Sequence, residues 1–213
     1  MKKIQLYVFI ICCLVICTSS QTVVKEETKF NLKSKNLTEV INRYSIIDKE
    51  VHAVYQKDTT RIELYLQQDK DGKTSRVANF DETPESYYAS FNLIRNKDDK
   101  IIYIVEYPAC ESGDWDMRYE NYFDSDGNLI FFARKCSFFN GKCAEIINEK
   151  SEYFYNKEHE LIKKTYEITD GDGKSLDYKN CVFYYRFEYK IYETLTEYFK
   201  AKKFDTESTP NNL

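Results

Sequence analysis

Apolar and polar residues alternate with a period of two along most of the chain, and short polar turns interrupt the alternation. Three segments share one skeleton, in which Asn or Asp opens a turn and two adjacent aliphatic residues follow it: "NKDDKII", "DSDGNLI" and "NKEHELI". Asn, Asp and Gly reverse a backbone at low cost. Each segment therefore predicts a β-hairpin, and consecutive hairpins predict an antiparallel meander over residues 87–168.

A further hairpin is predicted upstream. Residues 60–68 and 74–80 flank the turn "DKDGK", in which Asp71 and Gly72 are expected to supply the positive φ angle of a tight turn. The loop 81–86 contains a proline and connects this hairpin to the meander.

Helical spacing occurs near both ends of the chain. Residues 36–56 carry apolar side chains three and four positions apart, which predicts an amphipathic helix with Asn36 as its cap and Ser45 as a candidate break. Residues 181–191 fit both a strand and a helix, and their aromatic alternation favours a strand to about residue 189. A helix is predicted again from Tyr192.

Both faces of the central strands are apolar. A solvent-facing sheet would alternate with polar residues, so each face needs a cover, and the two helices are the candidates. The predicted fold is α+β and strand-dominated: a long antiparallel meander of eight or nine strands with a helix near each end. The diagnostic residues are Ile101, Tyr103, Val105 and Tyr107 on one face, and Ile102 and Ile104 on the other.

The first 20 residues have the layout of a secretory signal peptide. Two lysines precede an apolar run at residues 4–17, and small residues follow it up to Ser20. Residues 14–17, "LVIC", resemble the lipobox of bacterial lipoproteins, which would place a lipid on Cys17, although Ile16 stands where the lipobox has a small residue. The predicted location is secreted or periplasmic, with no membrane span after cleavage.

Cleavage would leave 29 basic and 35 acidic residues, a net charge near −6. This charge speaks against nucleic-acid binding, which needs a basic face. The remaining length suits one sizeable core. The predicted organisation is therefore a flexible lead-in at 21–35, a single β-rich domain at 36–204 and a disordered tail at 205–213.

Four cysteines remain after cleavage, and an even number in an exported chain predicts two disulfides. Three pairings are possible. The favoured one joins Cys136 to Cys143 across the loop "SFFNGK" and Cys110 to Cys181. A zinc site is not predicted, because the sequence has no C-x2-C pair and no histidine doublet near the cysteines.

Asp-x-Asp-Gly occurs at residues 69–72, 124–127 and 170–173, which suggests calcium loops. The twelfth positions that an EF-hand needs are not glutamates, so hairpin turns explain the pattern better. His52 and His159 lie outside any nucleophile motif and are predicted to be surface residues. Neither a metal site nor a cofactor is predicted.

The loop "CESGDWDMRYE" is the best candidate site. Trp115 is the only tryptophan, and Glu111, Asp114 and Asp116 surround it. An aromatic platform with carboxylates can bind a sugar or, with an acid and a base, hydrolyse a glycosidic bond. The alternative is a solvated acidic connection with Trp115 folded onto the sheet.

The predicted function is an exported, non-catalytic binding protein whose partner is a protein, a glycan or an apolar ligand. The alternatives are a secreted glycosidase-like hydrolase that uses carboxylates of the 111–120 loop, and an inhibitor or immunity protein.

Overall fold

In the computed structural model, eight strands form one antiparallel sheet in the order β2-β1-β3-β4-β5-β6-β7-β8. The structure describes residues 34–78, 84, 86–139, 143–177, 179, 181 and 189–205. The strands are β1 (Ile62–Gln67), β2 (Thr74–Val77), β3 (Ala89–Arg95), β4 (Ile101–Pro108), β5 (Trp115–Phe123), β6 (Leu129–Phe139), β7 (Ile146–Tyr155) and β8 (Leu161–Asp170). Helices α1 (Ser34–Lys57) and α2 (Leu195–Ala201) lie near the two ends, and a 3-10 turn spans Thr59–Arg61. The predicted strand-dominated meander is confirmed.

Four turns of the sheet have the same backbone geometry, which explains the recurring sequence skeleton. The fourth residue of each turn has a positive φ and donates its N–H to the carbonyl of the first residue at 3.0–3.2 Å. The side-chain oxygen of the first residue accepts the N–H of the fifth at 2.7–2.9 Å. Asn and Asp recur because their side chains stabilise the turn. The turns begin at Asn96, Asp124, Asn156 and Asp170.

A β-bulge follows the turn in three of these hairpins. Ile102, Ile130 and Ile162 are skipped in the cross-strand register, and all three are buried in the cluster beneath α1. The bulge shifts the alternation by one residue. The face assignment predicted for β4 is therefore wrong at its start, because Ile102 joins Tyr103 on the same face.

Helix α1 covers part of one face, which we call the helical face. It is continuous through Ser45, and Val40, Val51 and Val54 are buried against the sheet. The Tyr44 ring lies 4.2 Å from that of Phe131. Arg43 forms an ion pair with Asp124 at 2.8 Å, which joins the helix to the first residue of a turn.

Residues 189–205 lie against the opposite face, which we call the C-terminal face. Tyr189 stacks on Phe132 with ring centroids 5.5 Å apart. Thr194 caps α2 by accepting the N–H of Glu197 at 3.2 Å, and Tyr198 is buried in the same cluster. The two-sided covering that the sequence predicted is confirmed.

Three sequence expectations need separate comment. Gly72 is not among the positive-φ glycines, so the tight-turn prediction is wrong. The six-residue connection 68–73 needs no mirror-image turn; a Gly72 N–H to Asp69 carbonyl bond of 2.9 Å closes it. Residues 182–188, the core of the predicted last strand, lie outside the described residues, as do the signal peptide and residues 206–213.

Candidate functional site

The sequence predicts the site loop at residues 110–120, but residues 115–120 belong to β5, and only residues 109–114 form the connection between β4 and β5. Glu111 and Asp114 are exposed, and Gly113 adopts a φ of 72°. The carbonyl of Asp114 accepts the N–H of Phe139 at 3.0 Å, which attaches the loop to the end of β6. The two carboxylates therefore face solvent at one end of the sheet.

Trp115 is only 8% exposed and belongs to the hydrophobic core of the C-terminal face, opposite Phe138 of β6. Asp116 is the next strand residue, so its side chain points to the helical face and is exposed. The strand thus separates the indole from the neighbouring carboxylate. This placement matches the alternative reading, in which Trp115 folds onto the sheet, and gives no support to an open aromatic platform.

The predicted disulfide pairing is wrong. The structure joins Cys143 to Cys181, with Cα atoms 5.5 Å apart, and leaves Cys110 and Cys136 as thiols. Strand β6 continues three residues beyond Cys136, whose cross-strand neighbour is Glu149. Cys136 therefore does not lie at the loop end where a bridge to Cys143 would form.

The part of the helical face farthest from the β3–β4, β5–β6 and β7–β8 turns presents polar side chains from four adjacent strands. We call this surface the open platform. All of its side chains are exposed or half-buried, and they border a depression of about 340 Å³. The cross-strand register arranges them in two rows: Arg118, Lys135, Lys150 and Glu167 in the first, and Asp116, Ser137, Asn148 and Thr169 in the second.

The cations of the first row are paired with carboxylates. Glu120 of β5 is buried and accepts hydrogen bonds from Arg118 Nε and Lys135 Nζ, each at 2.8 Å. Because Lys135 lies on β6, Glu120 links these two strands. Lys150 lies 3.4 Å from Glu152 and 3.4 Å from Glu167. The pKa of Arg118 is raised overall: burial acts to lower it, but the hydrogen bond and charge of Glu120 outweigh the burial. The platform therefore carries little net charge.

The two middle residues of the second row, Ser137 and Asn148, form hydrogen bonds. Ser137 donates its hydroxyl to Asn148 Oδ1 at 2.7 Å, and Asn148 donates its amide to the carbonyl of Asp170 at 3.1 Å. The row thus presents hydroxyl and amide groups held in place before any ligand arrives. Such ordering lowers the entropy cost of binding.

Polar groups away from the platform include the buried carboxylate of Glu106 and two histidines. Glu106 is buried on the C-terminal face, where Tyr198 donates its hydroxyl at 3.1 Å and Lys202 its ammonium at 2.6 Å. His52 is exposed, as predicted, whereas His159 is half-buried and stacks on Tyr155 with centroids 4.5 Å apart.

Asp124, in one of the Asp-x-Asp-Gly segments that suggested calcium loops, stabilises its own turn. Asp124 Oδ1 accepts the N–H groups of Asp126 and Asn128 at 3.0 and 2.9 Å. Within the described ranges, no group of three or more His, Cys, Asp or Glu residues is placed to hold a metal ion. Of the helices that the structure describes, none has the length and apolar character to cross a membrane.

Comparison with known proteins returns no match: no family model, curated protein or solved structure is significantly similar to this chain.

Sequence reasoning missed the open platform. Its signal is present, because polar residues stand two apart at Asp116 and Arg118, Lys135 and Ser137, Asn148 and Lys150, and Glu167 and Thr169. Only the strand register brings these pairs side by side.

Proposed function

We propose that the chain is an exported, non-catalytic binding protein that contacts a partner protein through the open platform. The observation that carries this proposal is the polar surface formed by eight side chains of β5–β8, which no helix or strand that the structure describes covers. Its two rows are held by ion pairs and hydrogen bonds, so the surface is ordered without a ligand.

The shape of the platform favours a broad partner. Four strands at about 4.8 Å spacing make each row about 14 Å wide. Small-molecule sites are usually lined mainly by apolar side chains, whereas the platform side chains that border its depression are polar, as they are at the rim of a protein interface. The paired charges suit a partner surface with both signs and disfavour a polyanion.

Export is supported by two features. The N-terminal charge and apolar run have the layout of a signal peptide. The Cys143–Cys181 disulfide is compatible with an oxidising compartment. A lipid on Cys17 remains a prediction, which intact-mass measurement of the envelope-derived protein would test.

The experiment uses the purified mature chain as bait for envelope extracts of its own host. Lys150→Glu reverses a charge in the centre of the platform, and Lys157→Glu makes the same change on the exposed β7–β8 turn. We expect one protein to be retained by the wild type and by Lys157→Glu, and to bind at least about 10-fold more weakly to Lys150→Glu, consistent with loss of about 1.4 kcal/mol or more at a well-packed interface.

Equal retention by all three baits would contradict the proposal, provided that their circular dichroism spectra agree. Retention of glycans in place of a protein would move the assignment to carbohydrate binding. For the hydrolase alternative, Glu111→Gln and Asp114→Asn variants would have to abolish a measured turnover.

A further inference from the structure

Among the described cysteines, the disulfide between Cys143 and Cys181 leaves two thiols, Cys110 and Cys136. An exported chain meets oxidants, and thiols that can reach one another become a disulfide there. We propose that Cys110 and Cys136 form a second disulfide, in which Cys110 is the thiol that reacts first.

The fold brings both cysteines to the same region. Cys136 lies on β6 opposite Met117 of β5, and its side chain belongs to the core of the C-terminal face. Cys110 follows the end of β4 at Pro108 and packs against the same core from the other side of β5. One strand therefore separates them. Cysteines whose Cα atoms lie more than about 7 Å apart are bridged only after backbone movement. The bond therefore requires a shift of the exposed residues 111–114, which connect Cys110 to β5.

The two thiols differ in reactivity. Burial acts to raise the pKa of Cys110, but the Ser112 hydroxyl, 3.6 Å from the sulfur, and the backbone N–H groups of residues 113–115 lower it overall. Cys136 is buried, and burial raises its pKa to about 12, with smaller contributions from neighbours that include Cys110. The thiolate is the nucleophile, so Cys110 reacts first.

The oxidation requires a small disulfide such as glutathione disulfide. The Cys110 thiolate attacks one sulfur of this molecule and expels a glutathione thiolate, which takes up a proton. Cys136 then loses its proton to solvent and attacks the Cys110 sulfur of the mixed disulfide. The second glutathione leaves as a thiolate and is protonated. Two protein thiols are oxidised, and one glutathione disulfide is reduced to two thiols.

Trypsin allows a direct test because its cleavage sites separate all four cysteines. They fall in peptides 101–118, 136–142, 143–150 and 180–186. The mature chain is reduced and refolded with reduced and oxidised glutathione. It is then alkylated under denaturing conditions without reductant and digested. We expect a linked pair 101–118/136–142 beside 143–150/180–186, and loss of the alkylated forms of Cys110 and Cys136.

A second measurement keeps the test valid if a variant folds poorly. In the reduced wild type, brief exposure to glutathione disulfide should give a glutathione adduct on Cys110 before one on Cys136. In Cys110→Ser, the adduct should be lost, and Cys136 should be alkylated completely after denaturation. Full alkylation of both thiols in the refolded wild type, or a linkage of either to Cys143 or Cys181, would overturn the proposal.

Discussion

The two faces of the sheet are covered to different extents, and their side chains differ accordingly. Beneath residues 189–205, the C-terminal face of β5 carries Trp115, Met117, Tyr119 and Phe123, and one polar residue, the buried Asn121, lies between the last two. On the helical face, the same strand is apolar at Tyr122 under α1 and polar at Arg118 and Asp116 beyond it. The difference shows that the cover, not the strand, decides which positions can be apolar.

Ion pairs are buried on the C-terminal face and partly exposed on the open platform. Glu106 on the C-terminal face is buried with a tyrosine and a lysine that both come from the C-terminal segment. On the open platform, Lys150 and Glu167 pair at 3.4 Å while partly exposed. Exposed pairs contribute only about 0–1 kcal/mol each. The exposed Lys150–Glu167 pair therefore contributes little to the stability of the fold.

The largest expected effect is alkaline unfolding, because tyrosines with raised pKa values lie on both faces of the sheet. Burial raises the pKa values of Tyr107, Tyr119 and Tyr155 to about 12 from 10.0. A raised folded-state pKa means that the neutral phenol favours the fold. Its contribution is complete below pH 10 and is lost as the pH rises towards 12. Tyrosinate absorbance and circular dichroism should change together in this window. Separate titration of the tyrosines in a folded chain would contradict this expectation.

Replacement of core phenylalanines tests whether the two covers are independent. Phe131→Ala removes the ring against Tyr44 of α1, and Phe132→Ala removes the ring beneath Tyr189. Each should lower the free energy of unfolding by about 3–5 kcal/mol in urea titrations. Hydrogen exchange should increase first in α1 for Phe131→Ala and first in α2 for Phe132→Ala.

The control for both is Ile46→Ala on the outer side of α1, where the side chain is 69% exposed and a change within about 0.5 kcal/mol is expected. Equal exchange increases in both helices for both phenylalanine variants would show that the faces unfold as one unit.

The disulfide stabilises the C-terminal face specifically. The double variant Cys143→Ser/Cys181→Ser should lose about 2–4 kcal/mol, because a crosslink over 38 residues restricts the unfolded chain. Reductant should bring the wild type to the same stability as the reductant-treated variant. Any further loss that reductant causes in the variant itself would come from a Cys110–Cys136 bond.

The smallest expected effects are at the turns. Gly127 has a φ of 80°, so Gly127→Ala should cost about 1 kcal/mol. Asp99 occupies the equivalent position with a φ of 62°, and Asp99→Gly should be neutral or stabilise by up to about 1 kcal/mol. Opposite shifts in urea midpoints would confirm that the two turns are equivalent. Shifts of the same sign would show that they are not.

Local signals predicted the elements well. The turn residues and the period-two alternation gave the meander, and helical spacing gave α1 and a C-terminal helix. The bulges escaped prediction because strict alternation assumes an unbroken register. Nothing in Ile102 or Ile130 alone distinguishes a skipped residue from a paired one.

The candidate site was harder to predict because it depends on contacts distant in sequence. Trp115 and its acidic neighbours attracted attention as a cluster in the chain, yet alternation along β5 sends Trp115 and Asp116 to opposite faces. The disulfide pairing failed for the same reason: Cys143 and Cys181 are 38 residues apart and meet only in the folded chain.

The three bulges lie on alternate strands, β4, β6 and β8, at the same height above the turns. A bulge bends its strand and increases the local right-handed twist. Each bulge forms within its own hairpin, and three bulges at the same height together curve the sheet. The trough that receives α1 is therefore shaped by local backbone geometry, and a fragment without the helix, if kept soluble, should still coil in the same sense.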